Sequence, residues 1–386
     1  MSTEIEQGTN SLPSDDQYAL VAAVVHEIPA PTVDYLPPAP ADSEIRIALI
    51  GCGGIASTHL ATYKEAGWTV VALCDIDAAR AAQRRDQFYP NATVTTDPEA
   101  IFQLKGIHAI DITTHTRHRP PLVRRALECG HNVLSQKPFV TDITTGKELV
   151  ALADTTGGCL AVNQNGRFAP HFSYIREMVS AGHLGDITSI HTNIQWDHTW
   201  IKGTPFAKMR DIVLYDFAIH WFDFMSSVIP KDATLAVVAK RSAARLDLNL
   251  PPLEASVIIT WSGGQATMAF NAGCVYGSGD ETTIVGTRGS IRSTGPDSGS
   301  QSMTVNLPDG KAVPMLQGKW FNDGFRGTMG ELLSAVEQKR EPRNSAAGNL
   351  RSLMLCFAAI ESANTGGSVC VGDITRLPSG SIPDHV

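Results

Sequence analysis

Ile45-Arg46-Ile47-Ala48-Leu49-Ile50-Gly51-Cys52-Gly53-Gly54-Ile55-Ala56 reads as a short strand, a glycine-rich turn and the first residue of a helix. The helix continues through His59–Ala66 and stops at Gly67, and a second strand, Thr69–Cys74, ends at an acid, Asp75. Gly51-x-Gly53-x-x-Ala56 in that setting has a specific physical use. Gly51 allows the tight turn, Gly53 lets the backbone approach a pyrophosphate, and Ala56 permits close packing of helix on strand. The free backbone N–H groups at the helix start, around Gly54 and Ile55, suit phosphate oxygens. Asp75 is placed to accept hydrogen bonds from ribose hydroxyls and to repel a 2′-phosphate, so NAD is favoured over NADP.

Outward from this segment the alternation persists. A helix is expected over Ala78–Phe88, a strand at Ala92–Val94, a helix at Pro98–Leu104 and a strand at Ala109–Ile112. A helix over Pro120–Cys129 and a strand at Asn132–Ser135 follow. Strands alternating with helices imply a doubly wound parallel sheet. The second half has a different texture. Ile187–Trp196, Leu235–Lys240, Ala255–Trp261, Gln265–Phe270, Thr282–Val285, Ser290–Arg292 and Met303–Asn306 are β-rich runs joined by turn signals such as Ser262-Gly263-Gly264 and Pro308-Asp309-Gly310. A mostly antiparallel sheet is expected there, with a late helix near Asn349–Asn364 packed back on the body. The expected fold is therefore α/β. Residues 1–44 form an N-terminal extension, 45–163 a dinucleotide-binding domain and 164–386 an α/β substrate and oligomerisation domain with a large open sheet. The extension is rich in proline from Ile28 to Pro40, which excludes helix and central strand. Val21–Val25, Tyr35 and Leu36 give it enough apolar character to lie as an arm on the body or on a neighbouring subunit.

Composition narrows the class. The 386 residues carry a net charge of −8 and show no run of Lys and Arg, which argues against a nucleic-acid partner. Seven scattered cysteines without C-x-x-C spacing fit a reducing compartment, and no apolar run is long enough to span a bilayer. With no secretion signature at Met1-Ser2-Thr3-Glu4, a cytoplasmic protein is expected.

Three further segments carry chemistry. In Tyr215–Met225, Asp216, His220 and Asp223 recur at i, i+4 and i+7, one polar stripe on an otherwise apolar helix. A carboxylate within reach of an imidazole fixes its tautomer and raises its basicity, which makes a general base. Gln136-Lys137-Pro138-Phe139 follows a strand directly, where parallel sheets bind ligands. Trp196-Asp197-His198-Thr199-Trp200 offers apolar faces with polar neighbours, suited to a sugar ring.

Taken in this order, the motifs resemble the Gfo/Idh/MocA family of oxidoreductases, which includes glucose–fructose oxidoreductase and inositol dehydrogenases. The resemblance runs from about Ile45 to the end. Thr113-Thr114-His115-Thr116-Arg117-His118 is similar to the family's Thr-Pro-Asn-x-x-His. Gln136-Lys137-Pro138 is similar to its Glu-Lys-Pro, and Asn165-Gly166-Arg167-Phe168 to its Asn-x-Arg-Phe. Asp216 to Asp223 is similar to its Asp-x-Gly-x-His-x-x-Asp. Gln136 stands where the family has an acid, and Ala218 where it has a glycine. The resemblance implies cofactor contacts at Gly51, Gly53, Gly54, Ile55, Asp75, Thr113, Thr114, His118, Gln136 and Lys137. It implies a homodimer or homotetramer and a catalytic set of Lys137, Asp216 and His220. His220 would take the proton of a substrate hydroxyl, Asp216 would orient His220, and Lys137 would stabilise the alkoxide. Asp223 is expected to be structural. Asn165, Arg167, His171, Trp196, His198 and Trp200 are candidates for the substrate wall, and no metal site is expected.

The leading reading is an NAD-dependent dehydrogenase acting on a secondary alcohol of a cyclic polyol, sugar or glycoside. A second is a glycosidase using bound NAD in a closed cycle of oxidation, elimination, hydration and reduction, distinguished by the absence of net NADH. A third is a dinucleotide-sensing regulator, which would have no need of the Lys/Asp/His set. The sequence leaves open the particular hydroxyl and the physiological direction.

Overall fold

The computed structural model describes residues 26–295 and 301–383. The Val21–Val25 stretch and the rest of the extension before residue 26 lie outside them. The first domain runs β1 (Arg46–Ile50), α1 (Ala56–Glu65), β2 (Thr69–Cys74), α2 (Ala78–Phe88), β3 (Thr93–Thr95), α3 (Pro98–Phe102), β4 (Ala109–Ile112), α4 (Arg119–Glu128), β5 (Val133–Gln136), α5 (Ile143–Thr156) and β6 (Leu160–Asn163). Its six strands are all parallel in the order β3-β2-β1-β4-β5-β6. The order reverses between β1 and β4, and the carboxyl ends at such a reversal are where doubly wound sheets bind ligands. β1, β4, β5 and β6 are buried along nearly their whole length, as strands covered on both faces must be.

The second domain comprises α6 (Pro170–Ser180), β7 (Ile187–Gln195), α7 (Ile219–Val228), β8 (Ala236–Ser242), β9 (Glu254–Trp261), β10 (Gly264–Asn271), β11 (Gly279–Gly286), β12 (Gly289–Thr294), β13 (Ser302–Leu307), β14 (Gly310–Ala312), α8 (Trp320–Gln338), α9 (Ala346–Thr365) and β15 (Val369–Cys370). Nine strands form one sheet in the order β14-β13-β12-β11-β7-β10-β9-β8-β15. All neighbours are antiparallel except β7 and β10. Alternation is clearest in the central strands. In β9, Ala255, Val257 and Ile259 are buried while Ser256, Ile258 and Thr260 are exposed, so one face packs on helices and the other is open.

The 19-residue helix α8 is absent from the expectation drawn from sequence, which allowed one late helix only. Gly324, Gly327 and Gly330 weaken its helical signal, and packing explains them. A Cβ on Gly324 would lie 2.6 Å from the Asn165 carbonyl oxygen, and one on Gly327 would lie 2.5 Å from the Phe168 ring. On its other side α8 completes the core of the first domain. Met329, Leu332 and Leu333 are buried among Ile47, Leu49, Leu60 and Tyr63, each worth about 2 kcal/mol relative to exposure.

Residues 28–42 and 376–377 both cross the body. Ile28 N donates to Lys311 O at 2.9 Å, beside β14. Tyr174 Oη donates to Pro31 O at 2.7 Å, and the Glu337 carboxylate accepts from Ala41 N and Asp42 N. Beyond β15, Leu377 N donates to Thr141 O at 2.8 Å and Arg376 pairs with Asp142, which binds the C-terminal segment to the first domain.

The candidate active site

At the β1 turn, Gly51 has φ +100°, and a Cβ there would meet Thr114 at 2.9 Å. Only glycine fits both demands. Cβ atoms on Gly53 and Gly54 would meet nothing within 4 Å, so their backbones face open space. Helices α2, α5 and α9 start on capping side chains (Asp77, Asp142 and Ser345), whereas α1 starts at Ile55 with none. The N–H groups of Ser57 and Thr58 turn back on Gly54 O and Ile55 O, so it is the backbone ahead of them, from Gly53 to Ala56, that is placed for an anion. The Asp75 carboxylate closes the far end, accepting from Cys52 N at 2.7 Å and Asp77 N at 2.9 Å. These residues fit the pyrophosphate and ribose of a dinucleotide. Two guanidinium groups escape the sequence reading. Arg84 donates to Cys52 O and Gly53 O, and Arg80 stands 3.6 Å from Asp75. The signal was available, since residues four apart on the helix after Asp75 share one face.

Thr113 Oγ1 donates to Ile50 O and Gly51 O, tying the end of β4 to the end of β1. Thr114 Oγ1 is buried without a hydrogen-bond partner among the described residues. His118 is exposed at the start of α4. The Gln136 side chain turns inward. It is 6 % exposed, its Oε1 accepts from Lys137 N at 2.7 Å and from Asn163 Nδ2 at 3.2 Å, and its Nε2 faces His59 Nε2 at 3.1 Å. With both amide atoms taken, Gln136 is a buried link between β5, β6 and α1. Because Oε1 accepts the Lys137 N–H, Nε2 must donate to His59. His59 therefore keeps its proton on Nδ1, which donates to Asp111 Oδ2 at 2.7 Å beside the Tyr63 hydroxyl.

The Lys137 side chain leaves in the other direction. Its Nζ donates to Asp216 Oδ1 at 3.0 Å and to Asp216 O at 2.8 Å. This corrects the expected pairing of Asp216 with His220. The cause is local geometry. Val213–Phe217 is a π-helical turn, with Ala218 N donating to Val213 O at 2.9 Å, and α7 begins only at Ile219. The extra residue rotates Asp216 by roughly 100° from the phase it would have on a continuous α-helix. The single stripe of Asp216, His220 and Asp223 is therefore broken. Asp223, 1 % exposed, pairs with Arg167 at 2.7 Å and accepts from Ser352 at 2.9 Å.

His220 stands against Gly166, where a Cβ would come within 3.3 Å of its Nδ1, and perpendicular to the Trp320 ring at 5.4 Å. Nδ1 is buried without a partner among the described residues, which leaves Nε2 for a ligand. Burial, then the Lys137 ammonium and His198, hold its pKa well below the ordinary histidine value. His220 is thus a neutral imidazole, not one whose basicity a carboxylate raises.

The substrate-wall candidates divide. Trp196 stacks on His198 with rings 5.7 Å apart and 6° from parallel, and His198 lies 4.0 Å from the Phe217 ring. Burial brings His198 down to about 4 against the upward pull of Asp216. Trp200, 56 % exposed, continues this aromatic edge outward to Phe206. Three others turn into the protein. Arg167 is spent on Asp223 and the Arg343 carbonyl. His171, 2 % exposed, packs 4.0 Å from Phe172 and is pushed by burial down to about 3, as a neutral core residue. Asn165 accepts from Trp320 Nε1 at 3.1 Å and so holds the ring that faces His220. In each case the sequence supplied a polar residue near the right motif, and packing decided which way it turned.

Residues 45–164 match the oxidoreductase family's NAD-binding Rossmann fold and residues 176–371 match its C-terminal alpha/beta domain. The chain belongs to the Gfo/Idh/MocA oxidoreductase family and carries that family's NAD-binding domain. It is similar to D-apiose dehydrogenase of Rhizobium rhizogenes, 25 % identical over 86 % of this chain and 98 % of that one. It is also similar to inositol 2-dehydrogenase of Rhizobium meliloti, 24 % identical over 82 % of this chain and 96 % of that one. An oxidoreductase from Agrobacterium radiobacter, solved with NAD+, L-tartaric acid and magnesium, shares the fold. Its TM-score is 0.76 and its identity 22 %, covering 85 % of this chain and 99 % of that one.

Proposed function

We propose that the chain is an NAD-dependent dehydrogenase that oxidises a secondary alcohol of a cyclic polyol, sugar or glycoside. One observation carries the proposal. An ammonium held at a strand end by Asp216 sits within electrostatic reach of a neutral, half-buried imidazole. That is an acid–base pair for an alcohol. His220 takes the hydroxyl proton on Nε2. Lys137 donates a hydrogen bond to the same oxygen as negative charge grows on it, while Asp216 holds Nζ through both its carboxylate and its carbonyl. The nicotinamide ring, when bound, supplies the hydride acceptor. Asp75 at the end of β2 supports NAD over NADP, and the wall of Trp196, His198 and Trp200 supports a ring-shaped, hydroxyl-rich substrate. The sugar and cyclitol dehydrogenases among its relatives agree with that class. The open face of the nine-stranded sheet supports self-association into a homodimer or homotetramer.

The test is NADH formation, with NADPH formation run in parallel, from a panel of inositols, monosaccharides and glycosides. Turnover with one substrate class, preferring NAD and lost in His220→Ala and Lys137→Ala, is the expected outcome. Aglycone release without net NADH would replace this reading with the redox-cycling glycosidase.

A further inference from the structure

Arg119 is 2 % exposed, yet among the described residues no carboxylate lies within hydrogen-bond distance of it. Its partners are neutral and come from two loops. Nε donates to Thr114 O at 2.9 Å, after β4. One terminal nitrogen donates to Gln136 O and to Pro138 O, the latter at 2.6 Å, after β5. The other donates to Thr116 Oγ1 at 3.1 Å, and that hydroxyl itself donates to Pro138 O at 3.1 Å. The two carbonyls it grips after β5 belong to the residues on either side of Lys137.

A buried cation without a carboxylate partner is costly, so its retention needs a reason. Burial draws the guanidinium down to about 10, against the opposing pull of Tyr215, Asp216 and Asp111, and it stays charged at neutral pH. With four of its five N–H groups used on the two loops, it has little left for a ligand. Its effect must pass through the residues it holds.

We propose that Arg119 is the positioning residue for Lys137. The guanidinium fork ties the carbonyls of Gln136 and Pro138, the residues on either side of Lys137, to the loop after β4, and so sets the base of the side chain that reaches Asp216. The proposal rests on the reading of Lys137 as a catalytic residue. Lysine cannot replace the fork, because an ammonium cannot span three carbonyls and a hydroxyl in fixed planar geometry.

A double-mutant cycle on the full-length chain tests it, with single-turnover NADH formation as the readout and thermal melting as the check on folding. Arg119→Lys in the wild-type background is expected to lower the single-turnover rate about 10- to 100-fold. In the Lys137→Met background the same substitution is expected to cost nothing further, because the group it positions is gone. Thr116→Val removes one tie between Arg119 and Pro138. It should give a smaller loss with the same dependence on Lys137, and it takes the place of Arg119→Lys if that variant fails to fold. An equal fold-loss in both backgrounds would overturn the proposal, as would a wild-type rate in Arg119→Lys. A Lys137→Met enzyme as fast as wild type would remove Lys137 from the chemistry, and the positioning role with it.

Discussion

Gln136 and Lys137 are neighbours in sequence and members of two different polar clusters. Gln136 enters a buried network in which His59, Asp111, Tyr63, Asn163 and Thr328 hold one another. Of the polar atoms in that network, only Asp111 Oδ1 is buried without a partner among the described residues. Lys137 enters a half-buried cluster with Asp216, His198 and His220, in which the imidazole lacks a partner on Nδ1. The first contains an acid–imidazole pair at 2.7 Å, the arrangement usually associated with a general base. It is sealed from substrate, at 0 % exposure for both residues. The second lacks that pair and faces the aromatic wall. Shared residue types do not distinguish structure from chemistry here. What does is whether any hydrogen-bonding capacity remains for a ligand, since a saturated network can only hold itself.

The contrast can be broken at its sealed side. Asp111→Ala strands the His59 Nδ1–H and the Tyr63 hydroxyl, and is expected to cost about 4 kcal/mol of stability. Urea unfolding would measure it, and an unchanged midpoint would show that the network is not structural. Arg167 belongs with the sealed groups despite its place in a family motif. Arg167→Gln leaves Asp223 buried with one hydroxyl for company and should lose about 3 kcal/mol. A raised KM with an unchanged urea midpoint would instead return Arg167 to the substrate wall.

On the open side the expected loss is in rate. Asp216→Ala releases the Lys137 ammonium and should lower kcat about a hundredfold, with the melting temperature nearly unmoved. A large drop in melting temperature at full specific activity would reverse the assignment of the two clusters. The smallest effect concerns pH. His220 is neutral in the folded protein because its pKa lies well below the ordinary 6.5. As the proton acceptor, it must be unprotonated to act. The acid limb of kcat/KM is therefore expected below pH 6.5, with activity retained as pH falls through that value. An acid limb above it would mean that another group takes the proton.

Much of this chain was legible one residue at a time. The β-strand, glycine turn and helix from Ile45, ending at Asp75, follow from local rules, because a backbone approaching a phosphate tolerates few side chains. The parallel sheet followed from the alternation of strands and helices, and the open sheet from β-rich runs joined by turn signals. The residue types of the proposed site, Lys137, Asp216 and His220, were also readable. Their pairing was not. Counting at α-helical spacing placed Asp216 above His220, but one extra residue in the Val213–Phe217 turn sent it to Lys137. Gln136, Arg167 and His171 each carried the right chemistry and turned into the core, where Asn163, Asp223 and Phe172 received them. Arg119 gave no sign among its basic neighbours, since its partners are carbonyls that exist at every position of any sequence. Helix α8 was hidden by three glycines whose purpose is contact with Asn165, Phe168 and Pro38. Local sequence determined which backbone could form and which chemistry was available. Only the packed structure decided which polar groups spent their hydrogen bonds on the protein, because that depends on neighbours far away along the chain.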